Sequence, residues 1–527
     1  MKLGDGMKNE NTLLKIILTL LLIVIFVALF INKESTIKYD HSKKEINKEA
    51  LIKYEDNNDC KINKELDGSA KDYDYKKVFN KNKIQDVYID VPETNLFYLF
   101  ENAIDKPQVY INNIKIGDYN LSCSSMKPKG YTTLRSLWHT KFNKFSFTIN
   151  FKKYLKDQNL FGLTKISFNN MYADPSMSKE FISYYLFNEM GLDTPDYSYV
   201  NLYINNDYYG VYFMIEPIEK SLTKRTMNEK EDFLFKPEGE ESSLIYNEEL
   251  DNYLEDGTYN FDSLVHENGK YNYPRNSNNL LNKYRGIWED DPESFEGIYN
   301  DLPTFFKTIK KLTYLNNLEN KNTDYFEEEL ESIIDVDKLI KYNAINTYLV
   351  NTDGYMNSPP RNYALYMNKD GFLTIIPWDY NTIFGATILD NSEDVVNFNI
   401  YNPVIDCNIE DRPLLNVILD NDNYRNKYNE YLKDIIKIVE GGTTSNNKKY
   451  PKNNINNLID KNSKEVIKKN NKCKQKFYDE DEIKTAKTNL KKIIKARSKA
   501  VLNQIEGKED RVSTDVDLNT LGSLLLK

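Results

Sequence analysis

The chain has 527 residues, enough for more than one unit with a sizeable core. Its 40% hydrophobic and 13% aromatic content excludes a wholly disordered chain, and 70 Lys+Arg against 80 Asp+Glu (formal net charge −10) lacks the basic excess of a general nucleic-acid binder. Three scattered histidines, no HExxH and no CxxC among Cys60, Cys123, Cys407 and Cys473 argue against familiar zinc sites, while four cysteines allow two disulfides or buried free thiols equally well.

In chain order, the first feature is an apolar run, Ile16 to Ile31, extended by Leu13 and Leu14. Nineteen residues at 1.5 Å each reach roughly 28 Å, close to a bilayer core. No A-x-A pattern follows Phe30, so the run reads as a single-pass membrane anchor rather than a cleaved signal. Lysines flank it on both sides, so charge sets no orientation. Residues 33–75 are Lys-, Asn-, Asp- and Glu-rich and read as a tether.

From Val87 onward, VYIDV, QVYINNIKI, FSFTINF, YSYVNLYIN and YYGVYFMIE have the β-branched and aromatic character of strands. Between the third and fourth, Met177 to Met190 has helical spacing, with Asp174, Pro175 and Ser176 as start signals and Gly191 as stop. Residues 241–330 are weakly patterned and read as an insertion or connector. Val336 to Val350, Leu414 to Ile438 and Asp481 to Ile505 are amphipathic helices. The residues after 507 read as a loose tail. The expected organisation is therefore residues 1–32 tail and membrane helix, 33–75 tether, 76–240 strand-rich lobe, 241–330 connector, 331–507 helical lobe and 508–527 tail.

The stretch from Asn351 to Gly385 carries the most chemistry. Tyr363 to Met367 and Phe372 to Ile376 form strands around the turn Asn368-Lys369-Asp370-Gly371. Asn362 and Asp379 then lie nearly opposite each other at the open end, and Asp353 enters by the preceding loop. Two carboxylates and an amide there make an all-oxygen site suited to magnesium. Protein kinases use a similar order of loop Asp, Asn, hairpin and metal-binding Asp, but here the gaps are longer, nine residues and then seventeen. Asn357 is a rival ligand by spacing, and a surface hairpin with polar ends is the plain alternative.

At these residues the sequence resembles the CotH spore-coat protein kinase family. The resemblance rests on Asp353 with Arg361-Asn362-Tyr363, on Ile376-Pro377-Trp378-Asp379 with Phe384-Gly385, and on Asp174-Pro175-Ser176 before the helix ending at Gly191-Leu192. Tyr208-Tyr209-Gly210-Val211-Tyr212 with Ile215-Glu216, Leu234-Phe235-Lys236, Arg412-Pro413-Leu414, Tyr424 to Tyr428 and Arg497 extend it from about residue 76 to 507.

The resemblance implies an α+β, bilobal protein-kinase-like fold, here with one N-terminal transmembrane helix, and ATP- and Mg2+-dependent phosphorylation of protein Ser/Thr, in spore coat or cell-surface proteins. It gives Asp353 the catalytic role and Asn362 and Asp379 the metal. On the nucleotide side, Lys129-Gly130-Tyr131-Thr132-Thr133 stands where the family has an Arg-Gly-Asn-Ser-like turn, the Arg-to-Lys change keeping charge and losing a bidentate donor. Lys144 is the candidate phosphate lysine, with Lys236 its competitor. Glu180 is placed to pair with Lys144, and Glu216 to mark a hinge beside adenine. The alternative is a membrane-tethered scaffold or adhesin that retains the fold without transferring phosphate.

Overall fold

The computed structural model describes residues 48–56, 60–69, 72–227, 232–235, 240–246, 302–385 and 389–522. Seven strands come first: β1 (Gln85–Asp90), β2 (Val109–Ile116), β3 (Tyr119–Lys129), β4 (Ser146–Asn150), β5 (Lys165–Asn169), β6 (Tyr197–Ile204) and β7 (Asp207–Ile215). Helices α1 (Glu93–Glu101), α2 (Thr132–His139) and α3 (Lys179–Glu189) lie between them. The strands close into a barrel in the order β1-β2-β3-β4-β5-β7-β6. Closure is parallel, β1 on β6, with Gln85 opposite Val200 and Ile89 opposite Ile204. The other pairs are antiparallel.

Alternation explains the interior. Val87, Ile89, Ile114, Ile166, Phe168, Val200, Leu202, Tyr212 and Met214 share one buried cluster. The opposite faces of β6 and β7 present Tyr197, Tyr199, Val211, Phe213 and Ile215 to a second core shared with α3. Strands buried on both sides lose clean alternation and read as continuous apolar runs, which is how YSYV and GVYFMI stand in the sequence.

Beyond the barrel the described α-helices and the strands of a second sheet are α4 (Lys220–Thr226), β8 (Asp232–Phe235), α5 (Leu302–Asn316), α6 (Asp324–Glu331), α7 (Val336–Tyr348), β9 (Tyr363–Asn368), β10 (Leu373–Pro377), α8 (Ser392–Val396), α9 (Pro413–Leu419), α10 (Asp422–Glu440), α11 (Asn454–Asn470) and α12 (Glu480–Ile505). β9 is central in a small antiparallel sheet, β10-β9-β8. Pro377 faces Tyr363 across the hairpin, which leaves Asn362 and Asp379 at its mouth.

Several expectations change. The bilobal protein-kinase-like fold with an N-terminal transmembrane helix is corrected: the strand-rich part is a closed seven-stranded barrel within a mixed α/β chain. Pairing leaves the end strands β1 and β6 with no free edge, and side-chain periodicity carries no record of which edges meet. Among the described residues no helix is long and apolar enough to cross a membrane, and the expected span at 16–31 lies outside them. Within 241–330, α5 buries Phe305, Phe306, Ile309 and Leu312 in the main core rather than merely connecting lobes. The expected helix from Leu414 to Ile438 is two: the first ends at Leu419 with Asp420 as its C-cap, and Asn421 caps the next by accepting from the Tyr424 N–H at 2.9 Å.

Residues 508–522, part of the expected loose tail, are packed, with Val512, Val516, Leu518 and Leu521 buried. Of the cysteines, Cys60 and Cys123 form a disulfide that ties the segment before the barrel to β3, while Cys407 and Cys473 are free.

Candidate functional site

The site begins at the C-terminal end of α7. A helix end leaves orphan carbonyls, and those of α7 are satisfied from two directions. Buried Arg497 of α12 donates to the carbonyls of Thr347 (2.8 Å) and Tyr348 (3.3 Å), and also to Val396 and Phe398. Phe384 and Gly385 N–H donate to Leu349 and Val350 carbonyls at 2.7 and 3.1 Å. Phe384-Gly385 therefore serves as a backbone clamp that returns the segment after Asp379 to the start of the Asp353 loop. Gly354 lets that loop turn tightly, since a Cβ there would lie 2.7 Å from the Asn351 amide nitrogen.

Asp353 is held by its neighbours. Its Oδ1 lies 3.1 Å from Arg361 Nε, its Oδ2 accepts from the Thr382 hydroxyl at 3.3 Å, and its backbone carbonyl accepts from Asn362 Nδ2 at 2.6 Å. Burial pushes its carboxyl up to about 6; Arg361 opposes the shift and the Asp379 charge adds to it. Asn362 and Asp379 both adopt left-handed backbone, φ 57° and 55°. Asn and Asp tolerate that region better than other non-glycine residues, and such conformations cluster at functional sites.

Helix α3 supplies the opposite wall. Glu180 and Tyr184 are four residues apart and share a face. The Tyr184 hydroxyl accepts from the Asp379 N–H at 3.2 Å, and the ring packs edge-on against Tyr380. Glu180 is buried, and its carboxyl is pushed up to about 8 by burial first and by the Asp379 charge second. The Asp379 carboxyl is raised by burial, with Lys129 opposing.

Lys129, the last residue of β3, is the cation that answers these carboxylates. Its ammonium donates to Asn169 Oδ1 at 2.7 Å, and Asn169 Nδ2 donates onward to Glu180 Oε1 at 2.8 Å. It also lies 5.2 Å from the centroid of the Trp378 ring. Its charge favours the ionised forms of both Glu180 and Asp379.

Glu180 and Asp379 thus come together beside Lys129, while Asp353, tied to Asn362 and Arg361, lies near enough for the Asp379 charge to act on it. The other expected residues lie elsewhere. Lys144 is buried between the rings of Tyr212 and Phe477 and beside Gly210; burial lowers the pKa of its ammonium, and the group opposing that shift is Cys473, not Glu180. Glu216 is fully buried and takes hydrogen bonds from Arg225 (2.8 Å), the Asp196 N–H (3.0 Å) and Tyr75, which makes it an anchor at the end of β7. Lys236 lies outside the described residues. Asn357 is buried, and its carbonyl accepts from Arg412. Sequence reading missed Asn169 altogether. It flagged Lys129 only as part of a glycine turn, since neither periodicity nor spacing shows that β3 and β5 end beside α3.

Among the described residues no group of three or more His, Cys, Asp and Glu side chains is arranged to hold a metal by itself. The site offers hard oxygen donors instead. The Asp379 carboxylate is one, and the Asn362 amide oxygen is another, its nitrogen being occupied by Asp353. Carboxylates held above their ordinary range by burial and by one another gain from a nearby cation. That set suits Mg2+, which takes one or two protein ligands and completes its shell from phosphates and water.

On the far side of the Asp353 loop is a cavity of about 840 Å3. Its walls include Ser243, Ser358, Pro359, Cys407 and Arg412. Buried Arg412 fixes the loop there through the Asn357 carbonyl.

Comparison with known proteins bears on the same residues. The family model "CotH kinase protein" matches residues 129–501, a span that begins at Lys129 and includes Glu180, Asp353, Asn362 and Asp379. The chain is also similar to "Inner spore coat protein H" of Bacillus subtilis (strain 168), 26% identical over 249 residues, covering 47% of this chain. The match spans 56% of that relative's length. The family match covers well over half of the chain, which belongs to the CotH kinase protein family.

Proposed function

We propose that this chain is a spore coat-associated kinase that transfers the γ-phosphoryl group of ATP to Ser/Thr hydroxyls of coat or surface proteins, using Mg2+. Family membership and the coat-protein relative support the setting. The observation that carries the chemistry is the convergence of Lys129, Glu180, Asp353, Asn362 and Asp379 from the barrel, α3 and the hairpin mouth.

Asp353 accepts a hydrogen bond from the incoming hydroxyl. The oxygen of the acceptor hydroxyl attacks the γ-phosphorus, the bond to the β,γ-bridging oxygen breaks, ADP leaves, and the hydroxyl proton passes to Asp353. Arg361 and Thr382 hold that carboxylate in place while it does so. Lys129 meets phosphate charge, oriented through Asn169 and Glu180. Asn362 and Asp379 would hold magnesium, which when bound neutralises charge on the phosphates. Most of the rate then comes from positioning and electrostatic stabilisation.

The test is incorporation of labelled phosphate from Mg-ATP into co-expressed coat or surface proteins, with sites read by mass spectrometry. Asp353→Asn is expected to abolish transfer with the melting temperature retained. Transfer at the native rate by Asp353→Asn sinks the assignment. No thermal shift of the native protein with millimolar Mg-ATP would leave a scaffold.

A further inference from the structure

The last described residues do not simply trail from α12. Val512 exchanges two hydrogen bonds with the Asn397 side chain, each 2.8 Å, and Thr520 accepts from Asn489 of α12 at 2.8 Å. Val512, Val516, Leu518 and Leu521 are buried along this path. It ends at Gly522, which has φ +82° and presses on the loop before α3. A Cβ at that position would lie 2.4 Å from the Ala173 carbonyl oxygen and 2.4 Å from Pro175 Cδ, so a side chain cannot stay there without moving the loop or the tail.

The loop under Gly522 is what starts α3. Asp174 accepts from the N–H groups of Ser178 (2.7 Å) and Lys179 (2.8 Å), and the Tyr478 hydroxyl donates to the Tyr172 carbonyl. Glu180 is the next residue. The closed arrangement also buries two amines: Lys179 and Lys487 both feel the Asp174 charge, and Lys179 Nζ has no hydrogen-bond partner among the described residues. An amine buried in this way favours opening toward water, so contacts elsewhere must hold the loop shut.

We propose that residues 512–522 form a latch that holds the N-terminal end of α3 closed and thereby positions Glu180, and through it Asn169 and Lys129, at the site. The part of this that concerns catalysis rests on the kinase reading; the mechanical part does not. Glu180 here is a positioning residue, and the latch acts one step further back.

The test is the full-length chain carrying Gly522→Val, compared with the native protein by hydrogen exchange and by nucleotide kinetics. The expected result is exchange at residues 173–182 faster by about tenfold, with α10 unchanged, and a KM for ATP raised several-fold at near-constant kcat. Asn489→Ala, which removes only the contact to Thr520, should give the same pattern at smaller amplitude and decides the matter if Gly522→Val does not fold. Unchanged exchange at 173–182 overturns the latch. Faster exchange with an unchanged KM overturns its positioning role. If the native protein neither binds nor consumes Mg-ATP, the kinase reading fails while the exchange result still judges the latch.

Discussion

The hydroxyl of Tyr184 accepts a hydrogen bond from the backbone N–H of Asp379 at 3.2 Å, across 195 positions of sequence. Because Tyr184 stands one helical turn beyond Glu180, this contact sets the helix wall of the site against the hairpin mouth.

Replacing Tyr184 with Phe removes that acceptor and leaves the Asp379 N–H to find another. A lost hydrogen bond of this kind costs about 1 kcal/mol. The expected outcome is a melting temperature lower by a few degrees together with a smaller Mg-ATP-induced shift, both read by differential scanning fluorimetry. A Phe variant with an undiminished nucleotide shift would show that Asp379 does not depend on this contact.

The pH dependence of stability follows from Glu180. Its carboxyl is raised from 4.5 to about 8, chiefly by burial and next by Asp379. Between those values the folded protein holds a proton that the unfolded chain releases, so stability falls as pH rises through the window. Asp353, raised from 3.8 to about 6, acts in the same direction at lower pH. Glu180→Gln, which mimics the protonated acid, should match the native protein near pH 5 and exceed it by more than about 1 kcal/mol near pH 8. Urea melts at the two pH values measure this, and parallel native and mutant profiles would count against a buried acid at this position.

Arg497 donates to four backbone carbonyls while fully buried, two of them at the end of α7. Arg497→Leu leaves those acceptors unpaired, a loss of about 3–5 kcal/mol by analogy with breaking other buried charged networks. Arg497→Lys keeps a charge but not the planar fork, and should recover only part of it. Chemical denaturation of the two variants ranks them; equal stability would mean that water replaces the guanidinium.

The Cys60–Cys123 disulfide closes a loop with a sequence separation of 63. Loop-closure entropy for a loop of that size is worth about 4 kcal/mol at most, less any strain or residual structure in the unfolded chain. Reduction, or Cys60→Ser with Cys123→Ser, should therefore lower the melting temperature without altering the barrel's circular dichroism. A melting curve indifferent to reductant would show the thiols unpaired.

Much of this was legible locally. The turn Asn368-Lys369-Asp370-Gly371 and its apolar flanks placed the hairpin within a residue of its observed limits, Tyr363–Asn368 and Leu373–Pro377. The start signals before α3 and the spacing of α12 were equally plain. β3 was missed because Ser122, Ser124, Ser125, Lys127 and Pro128 hide an eleven-residue strand under polar composition. The latch was missed because Val512, Val516, Leu518 and Leu521 follow no helical or strand period.

The choice of lysine separates the two levels most clearly. Lys144 was the candidate phosphate residue because it lies on the strand that follows the glycine turn, with Lys236 as its competitor, whereas Lys129 stood only as the first residue of that turn. Local chemistry determined the hairpin, the oxygen-bearing residues at its mouth and the helix carrying Glu180, since turns, caps and periodicity act over a few neighbouring positions. Tertiary structure alone decided that β1 and β6 meet to shut a barrel, that Lys129 reaches Glu180 through Asn169, and that Lys144 is sealed among aromatic rings. Those outcomes depend on strand order and register between distant segments, where the energy lies in burying whole faces rather than in any short run of residues.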